Sequence, residues 1–253
     1  MKNYYLFIVA LFVSAISFSQ PLLVENFDYE LSSGNLTNDS GDWVAHVAGS
    51  VAVGYSDDGL FMTDYPFDIG GSALITNVTP PTGDKESVNK TFSAVNSGTI
   101  YYSALVNLTS LGSGNSGFFL HFGDASGIRG RVFAIDNGAG KINFGITSLG
   151  TPDYINTPYD LDTTYLIVVS YNIESFVSNL YVFEAGDPKP IDVPLSPDAT
   201  QASGNGTISV SAISIRQSDM GYAGTIDGLR VATEWENIMI DIALSDGTQV
   251  VQV

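Results

Sequence analysis

From about residue 98 onward, short apolar runs alternate with turn residues along the chain. Gly98-Thr99 leads into Ile100 to Val106, Gly117 into Phe118 to Phe122, Gly130 into Arg131 to Ile135, and Lys141 into Ile142 to Ile146. Tyr165 to Tyr171 and Leu180 to Phe183 are rich in β-branched and aromatic residues, Thr207 to Ile215 alternates, and Thr225 to Val231 closes the series. Runs of this length and composition, separated by Gly, Asn, Asp and Ser, predict strands joined by tight turns. No long stretch carries a helical period, and Thr233 to Ile242 holds one short helix at most. Asp187 to Pro197 contains four prolines and reads as a loop, as does Pro80-Pro81. Many short strands with Gly-rich turns and almost no helix predict an all-β protein, a sandwich or a barrel.

The N-terminus has a different pattern. Lys2 precedes a nearly unbroken apolar run from Tyr4 to Ile16, and Ser17-Phe18-Ser19-Gln20 follows. A positive start, a short apolar stretch and small residues before a break predict a secretory signal peptide, here residues 1–19. The run is short for a membrane span, and no later stretch is apolar enough for one. The expected organisation is therefore a leader, a sandwich over residues 20–237, and a tail over 238–253 that is an extra strand or the start of a further region. A secreted or cell-surface location follows.

Composition narrows the partners. The chain of 253 residues has 27 acidic and 9 basic residues, a formal net charge of -18, and only 14% charged residues in all. Such a charge disfavours nucleic acid and anionic membrane surfaces and leaves divalent cations and polysaccharides or surface glycans as partners. The same acidity also serves solubility alone. There is no cysteine, which excludes disulfides, thiolate metal sites and cysteine nucleophiles. Only two histidines, His46 and His121, are available for a metal site or a Ser-His-Asp triad.

One set of residues reads as a candidate ligand surface. If Phe118 to Phe122 and Arg131 to Ile135 form a hairpin around Asp124-Ala125-Ser126-Gly127, centred near Ser126, then His121 faces Arg131 and Phe119 faces Phe133. Strand alternation then places all four on one sheet face. Rings there can stack on sugar faces, and His and Arg can donate hydrogen bonds to hydroxyls or carboxylates. The alternative places Phe119 and Phe133 in the core with His121 and Arg131 near an edge.

Several segments, in order, resemble the laminin-G-like, concanavalin A-like jelly-roll domain of secreted Bacteroidota proteins. They are Val24 to Tyr29, Glu86 to Phe92, Phe118 to Gly123 with Gly130 to Phe133, Thr164 to Val169 with Ser178 to Val182, and Ile226-Asp227-Gly228-Leu229-Arg230-Val231 with Trp235 just after it. The resemblance implies an all-β, two-sheet antiparallel jelly-roll sandwich of the concanavalin A-like kind and the exported location, but no single activity, because this fold hosts lectins, glycosidases, lyases and structural domains. It also implies a structural calcium ion between the opening and closing strands, at Glu25 and Asp227 with Asp28 nearby. Hard carboxylates suit that ion, and the same acids also read as ordinary surface groups. Catalytic signatures of the fold are missing. Glu25-Asn26-Phe27-Asp28-Tyr29-Glu30 lacks the Glu-x-Asp-x-x-Glu spacing of family-sixteen glycosidases, and no Gln-x-His strand of the alginate-lyase type is present. The expected function is a non-catalytic carbohydrate-binding or adhesion module. A structural or docking domain of a larger surface protein is the alternative, and a polysaccharide-degrading enzyme comes third. An open aromatic platform on a sheet face favours the first, and a face filled by side chains or by the tail favours the second.

Overall fold

The computed structural model describes residues 20–251 except 67–68, 77–84, 111–116, 125–126, 205–207, 218–222, 240–241 and 246–247. The expected leader, Pro80-Pro81 and part of the turn after Asp124 lie outside the described residues. In chain order the elements are β1 (Leu23–Glu25), α1 (Leu36–Ser40), β2 (Val44–Val47), β3 (Gly54–Ser56), β4 (Ser72–Ile75), β5 (Ser87–Val95), β6 (Thr99–Ser110), β7 (Gly117–Gly123), β8 (Ile128–Asp136) and β9 (Lys141–Thr147). There follow β10 (Asp153–Tyr154), β11 (Tyr159–Asp160), β12 (Thr164–Asn172), β13 (Val177–Phe183), β14 (Ala199–Ala202), β15 (Val210–Arg216), β16 (Ala223–Ala232), α2 (Glu236–Met239), β17 (Ile242–Ser245) and β18 (Thr248–Val251). Two eight-stranded antiparallel sheets form an all-β jelly-roll sandwich. The first runs β14-β13-β12-β6-β16-β4-β3 with β1 on β16, and the second runs β10-β9-β8-β7-β15-β5-β2 with β11 on β9.

The main core lies between the sheets and includes Phe27, Trp43, Tyr102, Phe119, Phe122, Phe144 and Ile213, all buried. Tyr102 on β6 ties the layers together. Its ring meets Phe122 of β7 edge-on at 4.7 Å, and its hydroxyl donates to the Gly130 carbonyl of β8 at 2.8 Å. Gly130 has φ +54°, and a Cβ there would press on Phe122 and Val169 at 3.2 and 3.3 Å. The position needs glycine for both its backbone angle and its space.

The two sheets differ on their outer faces. The outer face of the first carries a second apolar cluster, in which Leu105, Leu166, Val168 and Tyr181 are covered by Met62, Tyr65, Trp235, Ile238 and Met239. Trp235 fixes the cover by donating from its indole to the Pro190 carbonyl at 2.8 Å. β6 and β12 are thus buried on both sides, which explains why their sequences are continuous apolar runs rather than alternating ones. Ile238 and Met239, at the start of the expected tail, belong to this packed cover, and further along β17 pairs with β18.

Local chemistry also ends the opening strand sooner than the sequence predicts. β1 stops at Glu25, because the Phe27 amide bonds back to the Glu25 carboxylate at 2.6 Å and Phe27 takes φ +51°. A side chain that captures a nearby amide competes with the strand ladder. Phe27 turns inward and stacks on Trp43, with centroids 5.9 Å apart. The unforeseen five-residue α1 is capped by Asn35, which accepts from the Thr37 amide, and stopped by Gly41 at φ +69°.

Candidate functional site

The outer face of the second sheet is built from strands with one apolar and one polar side. On β15, Ile213 and Ile215 point into the core, so alternation sends Ser214 and Arg216 outward. Ser214 sits opposite His121 of β7 on one side and Asn89 of β5 on the other. Phe118 of β7 lies beside Phe133 of β8, with ring centroids 5.4 Å apart, and beside His121 at 5.3 Å. The Arg216 guanidinium stands 4.3 Å from the Phe118 ring centre, and that of Arg131 lies 5.3 Å from Phe118 and 5.5 Å from Phe133. His46 of β2 meets the His121 ring edge-on at 6.3 Å. Phe118, Arg131 and Arg216 are half-buried, His46 is exposed, and His121 and Phe133 are largely covered.

Three of the four expected ligand-surface residues come together here, and one does not. The hairpin forms, but the register breaks between Phe118 and Leu120 and again between Leu120 and Phe122. At the first break Phe118 and Leu120 of β7 face the adjacent residues Phe133 and Val132 of β8, so β7 carries Phe119 as an extra residue. Phe118, not Phe119, therefore lies opposite Phe133, and Phe119 is fully buried in the core. The second break, where Gly130 takes its positive φ, returns His121 to the neighbourhood of Arg131. A bulge reassigns faces in this way because it adds one residue to a period of two. Sequence reasoning missed Phe118, Arg216 and His46. The alternation of β15 marks Arg216 as outward, but nothing local to residues 210–216 announces that β15 pairs with β7.

The face is electropositive in an acidic protein. Burial pushes the His121 pKa down to about 4, and the positive charges around it, His46, Arg216 and Arg131, push the same way. Only the bond between His121 Nδ1 and the Phe122 carbonyl, at 3.0 Å, works against them. His46 is lowered by desolvation and by Arg216, and Arg131 by desolvation, Arg129 and Arg216. Burial and the neighbouring guanidiniums thus work against protonation of both histidines.

The acidic trio has another fate. β1 does pair with β16, so opening and closing strands are neighbours, with Glu25 opposite Leu229. Glu25, however, is a buried acceptor hub. Its Oε1 takes the Phe27 amide at 2.6 Å, and its Oε2 takes the Tyr29 hydroxyl at 2.5 Å, the Trp43 indole at 2.9 Å and the Lys90 ammonium at 2.7 Å. Four donors, one of them cationic, do not fit the role of a calcium ligand, which needs free oxygen lone pairs. Asp227 is fully buried and accepts from the Leu60 amide at 2.7 Å and its neighbour Gly228 at 2.5 Å, while Asp28 is exposed. Arg230, three residues on, donates to the Glu25 carbonyl at 3.1 Å and to Asn26 Oδ1 at 2.5 Å. Arg230 thus ties the closing strand to the opening one. Among the described residues, no group of three or more His, Asp or Glu side chains gathers to hold a metal ion.

No family model matches the chain, and no curated protein sequence matches it. Solved structures do. A sialidase superposes with a TM-score of 0.51 at 10% identity, over 82% of this chain and 19% of that one. The likeness is one of fold, an all-β jelly-roll sandwich. The binding domain of botulinum neurotoxin DC, in complex with SialylT, gives a TM-score of 0.49 at 11% identity over 87% of this chain and 50% of that one. Domain 4 of AbnA, an extracellular GH43 arabinanase from Geobacillus stearothermophilus, in complex with arabinotriose, gives 0.47 at 12% identity over 87% and 98%. The chain thus spans less than two thirds of the sialidase and neurotoxin chains it matches.

Proposed function

We propose that this protein is a carbohydrate-binding module that is exported from the cell and uses the outer face of its second sheet. The observation that carries the reading is that half-buried Phe118, Arg131 and Arg216 gather around the covered His121 and Phe133 on the outer face of the second sheet. Aromatic edges beside fixed hydrogen-bond donors are the chemistry that grips sugar rings and their hydroxyls. Phe119, expected in this set, has no part in it. The outer face of the first sheet, filled by Trp235, Ile238 and Met239, has no such role. Export rests on Lys2, the apolar run after it and the small residues before Gln20. No helix among the described residues is long and apolar enough to cross a membrane.

The test is a glycan array probed with residues 20–253 and with the double variant Phe118→Ala/Arg131→Ala. The module should retain a defined set of glycans, and the variant should lose them while keeping its β-sheet circular dichroism. An array on which the folded module retains nothing contradicts the reading. N-terminal sequencing of protein recovered outside the cell should begin at Gln20.

A further inference from the structure

We propose that the face selects acidic polysaccharides, with Arg131 and Arg216 forming a two-guanidinium clamp for a carboxylate or sulfate group. This rests on the reading of that face as a glycan site and adds the chemical class of the ligand. The chain has only four arginines against 27 acidic residues, yet two of them converge on one phenylalanine ring from separate strands. Phe118 positions both, since a guanidinium stacks on an aromatic face and is thereby oriented. Their like charges oppose one another at this distance, and Arg129 adds to the opposition at Arg131.

Other parts of the face report the same positive field. His46 and His121 both resist protonation, with Arg216 among the causes at each. No ion pair among the described residues involves Arg131, and its Nε is buried without a hydrogen-bond partner. An anionic group bound at Arg131 supplies the missing acceptor and relieves the repulsion together. The planar fork of arginine matches the two oxygens of a carboxylate or sulfate, whereas a hydroxyl gives it a single acceptor. A neutral glycan brings no counter-charge to Arg131. The high negative charge elsewhere on the chain then repels acidic polymers from other surfaces and confines them to this face.

The experiment measures affinity of residues 20–253 for a panel of acidic polymers, namely polygalacturonate, alginate, glucuronan and carrageenan, each beside its carboxyl-reduced or desulfated counterpart. At least one acidic polymer should bind, with affinity at least tenfold above its neutralised partner and falling as salt rises. The uronate and sulfate arms separate the two sources of anion. Arg131→Gln and Arg216→Gln should each weaken the acidic polymer about tenfold, and Arg131→Lys should recover only part of the loss. Melting temperatures of the variants check that each is folded. Equal affinity for an acidic polymer and its neutralised partner overturns the clamp and leaves the glycan site standing. Acidic binding that survives both Gln substitutions also overturns it. Binding of neither kind removes the site and the clamp together.

Discussion

His121 should make the protein acid-labile in a defined pH window. Its ring is 2% exposed, and its pKa is held at about 4 in the folded chain against an ordinary 6.5. The unfolded chain therefore takes up a proton near pH 6.5 that the folded chain refuses until about pH 4. Stability is complete above pH 6.5 and is lost as pH falls toward 4, because the unfolded state binds more protons there. The gap of roughly 2.5 pH units corresponds to about 3 kcal/mol. Carboxylates also titrate near the bottom of this window, so the informative quantity is a difference. Urea unfolding of the wild type and His121→Asn, at pH 7.5 and pH 4.2, isolates it. The wild type should lose about 2 to 3 kcal/mol more than the variant between those pH values. His46, Arg131 and Arg216 surround the ring in both proteins, so their own contributions largely cancel. Parallel losses, within ~0.5 kcal/mol, would mean that His121 is solvated and that the face is not packed as described.

Other consequences are equally direct. Glu25→Ala removes the acceptor of the Trp43 indole and the Phe27 amide and leaves Lys90 only its longer pairing with exposed Asp42, and should cost about 3–5 kcal/mol in urea unfolding, with a smaller loss when Lys90 is also changed to Met. Phe119→Ala should cost about 3–5 kcal/mol because it empties a core site, whereas Phe118→Ala, on the half-buried outer face, should cost much less and act on glycan binding. Calcium or a chelator should leave the melting temperature within about 1 °C, since the Glu25 carboxylate is already held by four donors, the Lys90 ammonium among them, and a calcium-dependent rise of several degrees would contradict that assignment.

Much of the fold is legible in the residues because burial imposes its period. The strands at 100–106, 118–122, 142–146, 165–171 and 225–231 each lie within an observed strand, and the proline-rich loop and the single short helix after Thr233 are also where the pattern puts them. What the sequence hides are the departures from that period. The register break at Phe119 cannot be seen in Phe118-Phe119-Leu120-His121-Phe122, where every residue but one is apolar. The site is half legible for the same reason. His121, Arg131 and Phe133 are local to one hairpin, whereas His46 and Arg216 arrive by pairings that join residues far apart in the chain. The acidic trio misleads in the opposite sense. Glu25 and Asp227 are brought to neighbouring strands as the resemblance implies, but their oxygens serve buried donors, which residue type alone does not reveal.

The most direct test of the glycan-binding face is to see where a sugar lands. Amide chemical shifts of isotopically labelled residues 20–253, titrated with an array-selected oligosaccharide, give that answer residue by residue. The account predicts shifts concentrated on β7, β8 and β15, at Phe118, His121, Arg131, Phe133 and Arg216, with β12 and β13 unmoved. Shifts that gather instead on the first sheet or along Asp187 to Pro197 would contradict it.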